Sequence, residues 1–322
     1  MTRVRLTVPG NILLLGEYAV LEEGGLGLAM AVDTRVLLEA TSAEGLVIEA
    51  AWRGTSISWT PEHREVSPLI SSSVDTISEH LGRCPGAHAK VDSSAFFSPD
   101  GRKNGLGSSA AVTVALVCGL MRAAGAEPFP RNTVVSGLAL QAHRRAQGGR
   151  GSGYDVVTSF HGGTGIFRGG REPGWQPCAL PHNVRPLLFH GPAPVSTADA
   201  VDAYEKWKER DPSAARDFLR ESNNAVLSFI RAGSDIQAQL WFSACRELGI
   251  ELGNTIGVSA ELPIPAGLDP KWCKALGAGN ELGLCLLPPG VEPPAGDARR
   301  RVDVPGGFRP IVQSDTGVTW EQ

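Results

Sequence analysis

The chain has 322 residues, with 39 glycines, 23 prolines, 42% hydrophobic and 20% charged residues and a net charge of −4. At about 150 residues per domain the length predicts two domains, each able to bury a core. The apolar content excludes a disordered or collagen-like chain, and the charge balance argues against nucleic acid as a partner, Arg299-Arg300-Arg301 being the one short basic run. Cys84, Cys118, Cys178, Cys245, Cys273 and Cys285 stand 12 or more residues apart. They form no CxxC pair and no zinc-like grouping with histidine, so they read as reduced core thiols. The apolar run before Gly16 is too short for a signal peptide. The stretch 110–121, broken by Thr113 and Gly119, falls short of the ~20 residues that span a bilayer. The expected location is cytoplasmic, with no membrane partner.

Taken in chain order, Val4 to Val8 alternates at period two and predicts a strand, with Pro9 to Val20 running from strand to turn, and Val32 to Ala40 is a second strand. Val66 to Leu81 has helical apolar spacing and a glycine stop at Gly82. Ala110 to Ala124 is apolar nearly all round, which predicts a helix buried in the middle of its domain. Val134 to Gln147 predicts a third helix, ended by Gly148-Gly149. The proline-rich stretch 171–194, with a short strand at Leu187 to His190, is the expected domain junction. Beyond it, helices are expected at Thr197 to Arg210, Pro212 to Ala232 and Ile236 to Leu248. Strands follow at Leu284 to Leu287 and Pro310 to Val312, then a loop over 288–305 and a last hairpin from Gly307 to Glu321. The second domain reads as helices on an antiparallel sheet.

Four segments carry candidate chemistry. Lys103-Asn104-Gly105-Leu106-Gly107-Ser108-Ser109-Ala110-Ala111 sets a glycine turn and two serines before the buried helix. Such a turn lets backbone N–H groups curl around an anion at a helix start. An ordinary serine N-cap accounts for the local pattern equally well, and the Walker motif is absent. In Ala142-His143-Arg144-Arg145-Ala146-Gln147-Gly148-Gly149-Arg150-Gly151-Ser152-Gly153-Tyr154-Asp155, a carboxylate follows a glycine hinge and a cationic stretch, a setting suited to phosphoryl transfer. The plainer reading makes Asp155 a helix cap and leaves the arginines solvated. Pro9 to Val20 holds a single acid, Glu17, and Lys274 to Glu281 is another glycine loop. Ser196-Thr197 reads first as an N-cap, and His143 and His161 as structural residues. Eighteen of the 39 glycines fall in the windows 10–27, 101–107, 148–165 and 277–283.

The order of these segments resembles the GHMP kinase superfamily of small-molecule kinases over nearly the whole chain. KNGLGSSAA and AHRRAQGGRGSGYDV are most similar to phosphomevalonate kinases, whose stretches read close to KTGLGSSAA and AHxxAQGKxGSGFDV. PGNILLLGEYAVL resembles PGKxxLxGEYxVL, and GAGNELGLCLL resembles GAGGGDxGxxL. Asn11 stands where lysine is usual, and Asn280-Glu281 replaces a Gly-Gly pair.

The resemblance implies an α+β kinase using ATP and Mg²⁺. It would have an N-terminal α+β domain (1–185), a C-terminal ferredoxin-like α/β sandwich (186–322) and a site in the cleft between them. It implies that Gly105, Leu106, Gly107, Ser108, Ser109 and Ala110 wrap the ATP phosphates, that Ser108 approaches the metal, and that Lys103 neutralises phosphate charge beside Asp155 as the catalytic carboxylate. Asn11, Glu17, Arg150, Ser152, Gly277, Ala278 and Gly279 would bind the acceptor, a small phosphorylated molecule. Arg144 and Arg145 are weaker candidates that sit in the helix. The implied reaction converts 5-phosphomevalonate to 5-diphosphomevalonate in the mevalonate route to isoprenoids. The alternatives are a mevalonate or sugar kinase acting on an alcohol, or a catalytically weak nucleotide-binding relative. Oligomeric state is not legible.

Overall fold

The alternation at Val4 to Val8 opens the first strand, which runs on through Pro9-Gly10 to Leu15, and every residue from Val8 onward is buried. The structure is a computed structural model that describes residues 1–98, 101–126, 133–192, 195–292 and 308–321. The strands are β1 (Arg3–Leu15), β2 (Leu26–Ser42), β3 (Leu46–Trp52), β4 (Thr55–Trp59), β5 (Ala87–Asp92), β6 (Thr164–Arg168), β7 (Gly174–Cys178), β8 (Arg185–His190), β9 (Cys273–Leu276), β10 (Leu282–Leu287), β11 (Phe308–Pro310) and β12 (Thr319–Glu321). The helices are α1 (Pro68–Leu81), α2 (Ser108–Ala123), α3 (Thr133–Ala146), α4 (Tyr154–His161), α5 (Thr197–Arg210), α6 (Pro212–Arg231) and α7 (Asp235–Ile256).

The chain falls into two compact units, neither continuous in sequence. The first comprises Met1–Ile12, Met30–Gly163 and Gln313–Gln322, and the second Leu13–Ala29 and Thr164–Val312. β1 and β2 are long enough for each to give residues to both units.

In the first unit the strands run β12-β1-β2-β5-β3-β4. β2 and β3 flank β5, antiparallel and parallel to it respectively. β12 pairs only with Arg5, Leu6 and Thr7, so the missing N–H of Pro9 breaks no ladder on that edge. Helix α1 begins as the sequence predicts: Ser67 Oγ accepts from Ile70 N at 3.3 Å, Pro68 occupies the first turn, and Gly82 ends it at φ 67°. α2 packs on α1, α3, α4 and β5, which explains its lack of a polar face. Gly119 lets it approach β2, since a Cβ there would stand 2.3 Å from Leu38 Cδ2.

In the second unit β6 pairs with β2 and β7, and a separate antiparallel sheet runs β11-β8-β10-β9. Phe189 lies across Gly283, its register partner on β10. Tyr204, Trp207, Ala215 and Leu252 form a core between helices α5, α6 and α7. α5 matches its expected bounds, and Ser196 is its N-cap, accepting from Asp199 N at 3.3 Å. α7 runs eight residues past Leu248, to Ile256. The expected terminal hairpin does not form: β11 pairs with β8, whereas β12 pairs with β1. The Arg299-Arg300-Arg301 run and most of the 288–305 loop lie outside the described residues. No helix among the described residues is long and apolar enough to cross a membrane.

One arginine ties the chain's end to the first unit's sheet. Arg35 donates to Thr7 Oγ1 (2.9 Å), Ser314 Oγ (2.7 Å), Gly317 O (2.6 Å) and Thr319 Oγ1 (3.0 Å). Burial pulls its pKa down, against the opposing pull of Asp33. Arg35→Leu is expected to cost about 2 kcal/mol or more in urea unfolding, because several buried acceptors lose their donor. Arg35→Lys should recover only part of it.

Candidate active site

Within the first unit, Gly105 and Gly107 both take φ +69° and turn the chain into α2. The turn rests on β1. Asn11 N donates to Leu106 O at 3.0 Å, and a Cβ on Gly10 would stand 2.5 Å from the same oxygen. Asn11, 1% exposed, donates from Nδ2 to Ser159 Oγ at 2.9 Å and reaches Gly107 O at 3.5 Å. Its Oδ1 is buried with no partner. Asn11 thus lies beneath the turn as a support. Leu106 is buried, Ser108 and Ser109 are partly open, and Lys103 is exposed, joined to Phe97 by a single antiparallel bridge.

α2 and α4 both start from a left-handed glycine, Gly107 and Gly153; no side chain caps the start of α2, whereas in α4 Ser152 Oγ accepts from Tyr154 N at 3.4 Å. By contrast α1, α5, α6 and α7 are capped by Ser67, Ser196, Asp211 and Ser234. Uncapped N–H groups at a helix start are available to an anion.

Asp155 sits in the first turn of α4, where Oδ1 accepts from Val156 N at 2.9 Å. His143, 1% exposed, stands between this carboxylate and α2: Nδ1 is 3.7 Å from Asp155 Oδ2 and Nε2 is 3.3 Å from Ser109 Oγ. Arg144 is not solvated as expected. It donates to Gly151 O at 3.1 Å and Ser152 O at 2.8 Å, fixing the hinge before Asp155. Burial lowers its pKa, and Asp155 opposes that shift. Arg145 turns outward to Glu79 at 2.7 Å. Arg150 is exposed between Gly149 and Gly151, while Ser152 is buried.

The second unit gathers Glu17, Tyr18 and the Gly277–Gly279 loop around a small cavity also lined by Cys245 and Lys274. Lys274, 4% exposed, pairs with Glu17 and donates to Ala275 O at 2.7 Å and Leu14 O at 3.3 Å. Tyr18 OH donates to Ala278 O at 2.5 Å. Burial, and then Glu17, push the Tyr18 phenol up to about 12. Within the Asn280-Glu281 departure the Asn280 side chain has a local role, Nδ2 donating to Glu261 O at 3.0 Å, beside a backbone bond from Gly191 N to Glu281 O at 2.8 Å.

Residues 68–163 match the family model described as the GHMP kinases N terminal domain. The chain carries a GHMP kinase N-terminal domain. Over 163 residues the chain is 31% identical to a phosphomevalonate kinase of Saccharolobus solfataricus, a match covering 49% of this chain and 47% of that one. It spans about half the length of the curated phosphomevalonate kinases it matches. A mevalonate kinase of Archaeoglobus fulgidus is 26% identical over 286 residues, covering 86% of this chain and 91% of that one. The fold is shared with solved structures of small-molecule kinases. A Streptococcus pneumoniae phosphomevalonate kinase in complex with phosphomevalonate and AMPPNP aligns with a TM-score of 0.71 at 16% identity, covering 89% of this chain and 92% of that one.

The GHMP kinase domain match takes in the whole Gly105–Ala110 turn, His143 and Asp155. Sequence reasoning passed over His143, whose only sequence signal was its place on an apolar helix face, and Lys274, which looked like the lead-in to a glycine loop. Gly107→Ala is expected to lower unfolding stability by about 1–3 kcal/mol, since its backbone is left-handed and the new methyl would stand 2.2 Å from Asn11 Nδ2. Adding Asn11→Gly should return part of that loss in a double-mutant cycle.

Proposed function

We propose that the protein transfers the γ-phosphoryl group of ATP to the phosphate of a small phosphorylated acceptor, 5-phosphomevalonate, giving ADP and 5-diphosphomevalonate. The observation that carries this reading is the arrangement within the GHMP kinase domain: an uncapped helix start behind a glycine turn, linked through His143 to a carboxylate. Phosphoryl transfer asks a protein for positioning and charge stabilisation rather than covalent chemistry, and those are what this cluster offers. The names of the relatives and the AHRRAQGGRGSGYDV stretch favour phosphomevalonate as acceptor.

Gly105 to Ala110 would hold the nucleotide phosphates by backbone N–H groups, with Lys103 adding charge from the exposed side of the turn. The residues fit a nucleotide-borne Mg²⁺. No group of three or more metal-ligating side chains is present among the described residues, and Mg²⁺ is commonly held by one or two protein oxygens together with phosphates. Ser108 and Asp155 supply such oxygens, and the ion would neutralise charge on the transferring group. Ser152 shapes the hinge, Arg150 would grip the acceptor phosphate bidentately, and the Gly277–Gly279 loop would meet the acceptor.

A phosphate monoester has its second pKa near 6, so the acceptor oxygen is already anionic at neutral pH. Asp155 then orients and balances charge without having to remove a proton. Such an acceptor makes lesser demands for a lysine at position 11, where this chain has a buried asparagine. A second reading, a mevalonate kinase acting on an alcohol, draws on the Archaeoglobus relative, whose match covers far more of both chains.

ADP release measured with phosphomevalonate, mevalonate and a panel of sugars separates these readings. Turnover is expected with phosphomevalonate, and turnover with mevalonate alone would replace our reading by the second. Nucleotide binding without turnover on any acceptor would point to a non-catalytic relative. Asp155→Asn should lower kcat about 100- to 1,000-fold with little change in ATP affinity. Arg150→Ala should chiefly raise KM for the phosphorylated acceptor.

A further inference from the structure

The buried charge pair in the second unit does not have the form of a ligand-binding group. An ammonium has three donors, and those of Lys274 are taken by Glu17 Oε1, Leu14 O and Ala275 O. Nothing remains on Lys274 for a ligand, and Glu17 spends its charge on Lys274. A buried ion pair is also a poor way to gain stability, because an apolar pair of similar volume does as well or better. Its value lies in direction: it fixes where β9 begins relative to the 14–17 segment, three residues before Gly277.

A second tie acts on the same loop. Tyr18 has φ 61°, a left-handed conformation that bulky residues rarely adopt. Its ring is held 5.3 Å from that of Tyr204. From there its OH donates to Ala278 O, and the raised phenol pKa keeps that proton in place throughout the neutral range. In a trans peptide the C=O and the following N–H point in opposite directions, so this bond turns the Gly279 N–H away from Tyr18. Gly279 is pinned from the other side, where a Cβ would stand 2.9 Å from Val195 Cγ2 and 3.2 Å from Val258 Cγ1.

We infer that Lys274, acting through Glu17, and Tyr18, acting through Ala278, are positioning residues that set the peptide planes of the Gly277–Gly279 loop for an anionic acceptor. This rests on the phosphoryl-transfer reading above and alters one part of it: Glu17 serves the loop and does not touch the substrate. A phosphorylated acceptor is a suitable ligand for such a loop, because oriented backbone N–H groups bind an anion without bringing a charged side chain.

The test uses the full chain with Lys274→Met, Glu17→Gln, the two together, and Tyr18→Phe, which keeps the ring and loses only the donor. Steady-state ADP release with ATP and phosphomevalonate gives KM for each substrate, and hydrogen–deuterium exchange follows the amides of 277–279. Tyr18→Phe and Lys274→Met should raise the acceptor KM about tenfold while the ATP KM moves less than about twofold. Exchange should quicken at 277–279 in both. The Glu17→Gln/Lys274→Met pair should be less impaired than the product of the single effects, since it leaves no unpaired buried charge. Equal changes for both substrates with multiplicative effects, or unchanged exchange at 277–279 in Tyr18→Phe, would overturn the inference. If the unaltered protein phosphorylates none of the acceptors, the function proposed above fails. The exchange measurement then decides the loop ties alone: quickening confined to 277–279 supports them, and no change removes them.

Discussion

The contact between β1 and the Gly105–Gly107 turn is the constraint on which the first unit is built. A side chain on Gly10 would run into Leu106 O, and one on Gly107 would run into the Asn11 carboxamide. The two backbones therefore meet with only Asn11 between them. That closeness fixes where α2 starts and which way its first N–H groups point. α2 is the helix on which α1, α3 and α4 pack, so the direction of the turn and the packing of the unit are one problem. The orphaned Asn11 Oδ1 shows that the seam is held by fit as much as by bonding, since a buried carbonyl oxygen without a donor is costly.

The same logic explains why α2 is left without a side-chain cap. A serine or aspartate at the cap position would satisfy the first N–H groups and close them to any ligand. Glycine in the left-handed region ends the preceding loop and leaves those groups open. The other capped helices described, α1 and α5 to α7, use serine or aspartate, as helices serving only structure do. His143 joins the starts of α2 and α4 through Ser109 and Asp155, and Arg144 fixes the hinge before α4.

The second unit answers a different requirement. Its glycine loop follows a strand whose first residues carry a buried lysine, and the loop is steadied by Glu17 and Tyr18 from a segment more than 250 positions earlier in sequence. Asn280, a departure from the resembled glycine pattern, gives the end of the loop a fixed side-chain partner at Glu261 O. A loop with fewer glycines can keep a defined shape if side-chain and backbone bonds supply what flexibility would otherwise have to find.

The sequence by itself determined the local elements of the first cluster. Helical periodicity with Gly82, Gly125 and Gly148-Gly149 as stops gave α1, α2 and α3 to within a few residues, and the glycine-serine turn marked where the all-round apolar helix α2 begins. Such features depend on neighbours within one or two turns, and their spacing is written in the chain. Only the tertiary structure decided that β1 ends at Leu15, that β11 and β12 join different sheets, and that each unit draws on separate stretches of chain. It also decided that His143, Arg144 and Lys274 hold parts of the clusters in place, while Arg145 does not. The physical reason is that burial and hydrogen-bond partners come from residues tens to hundreds of positions apart. A buried ammonium and an exposed one look alike in sequence until the fold brings a carboxylate to one of them.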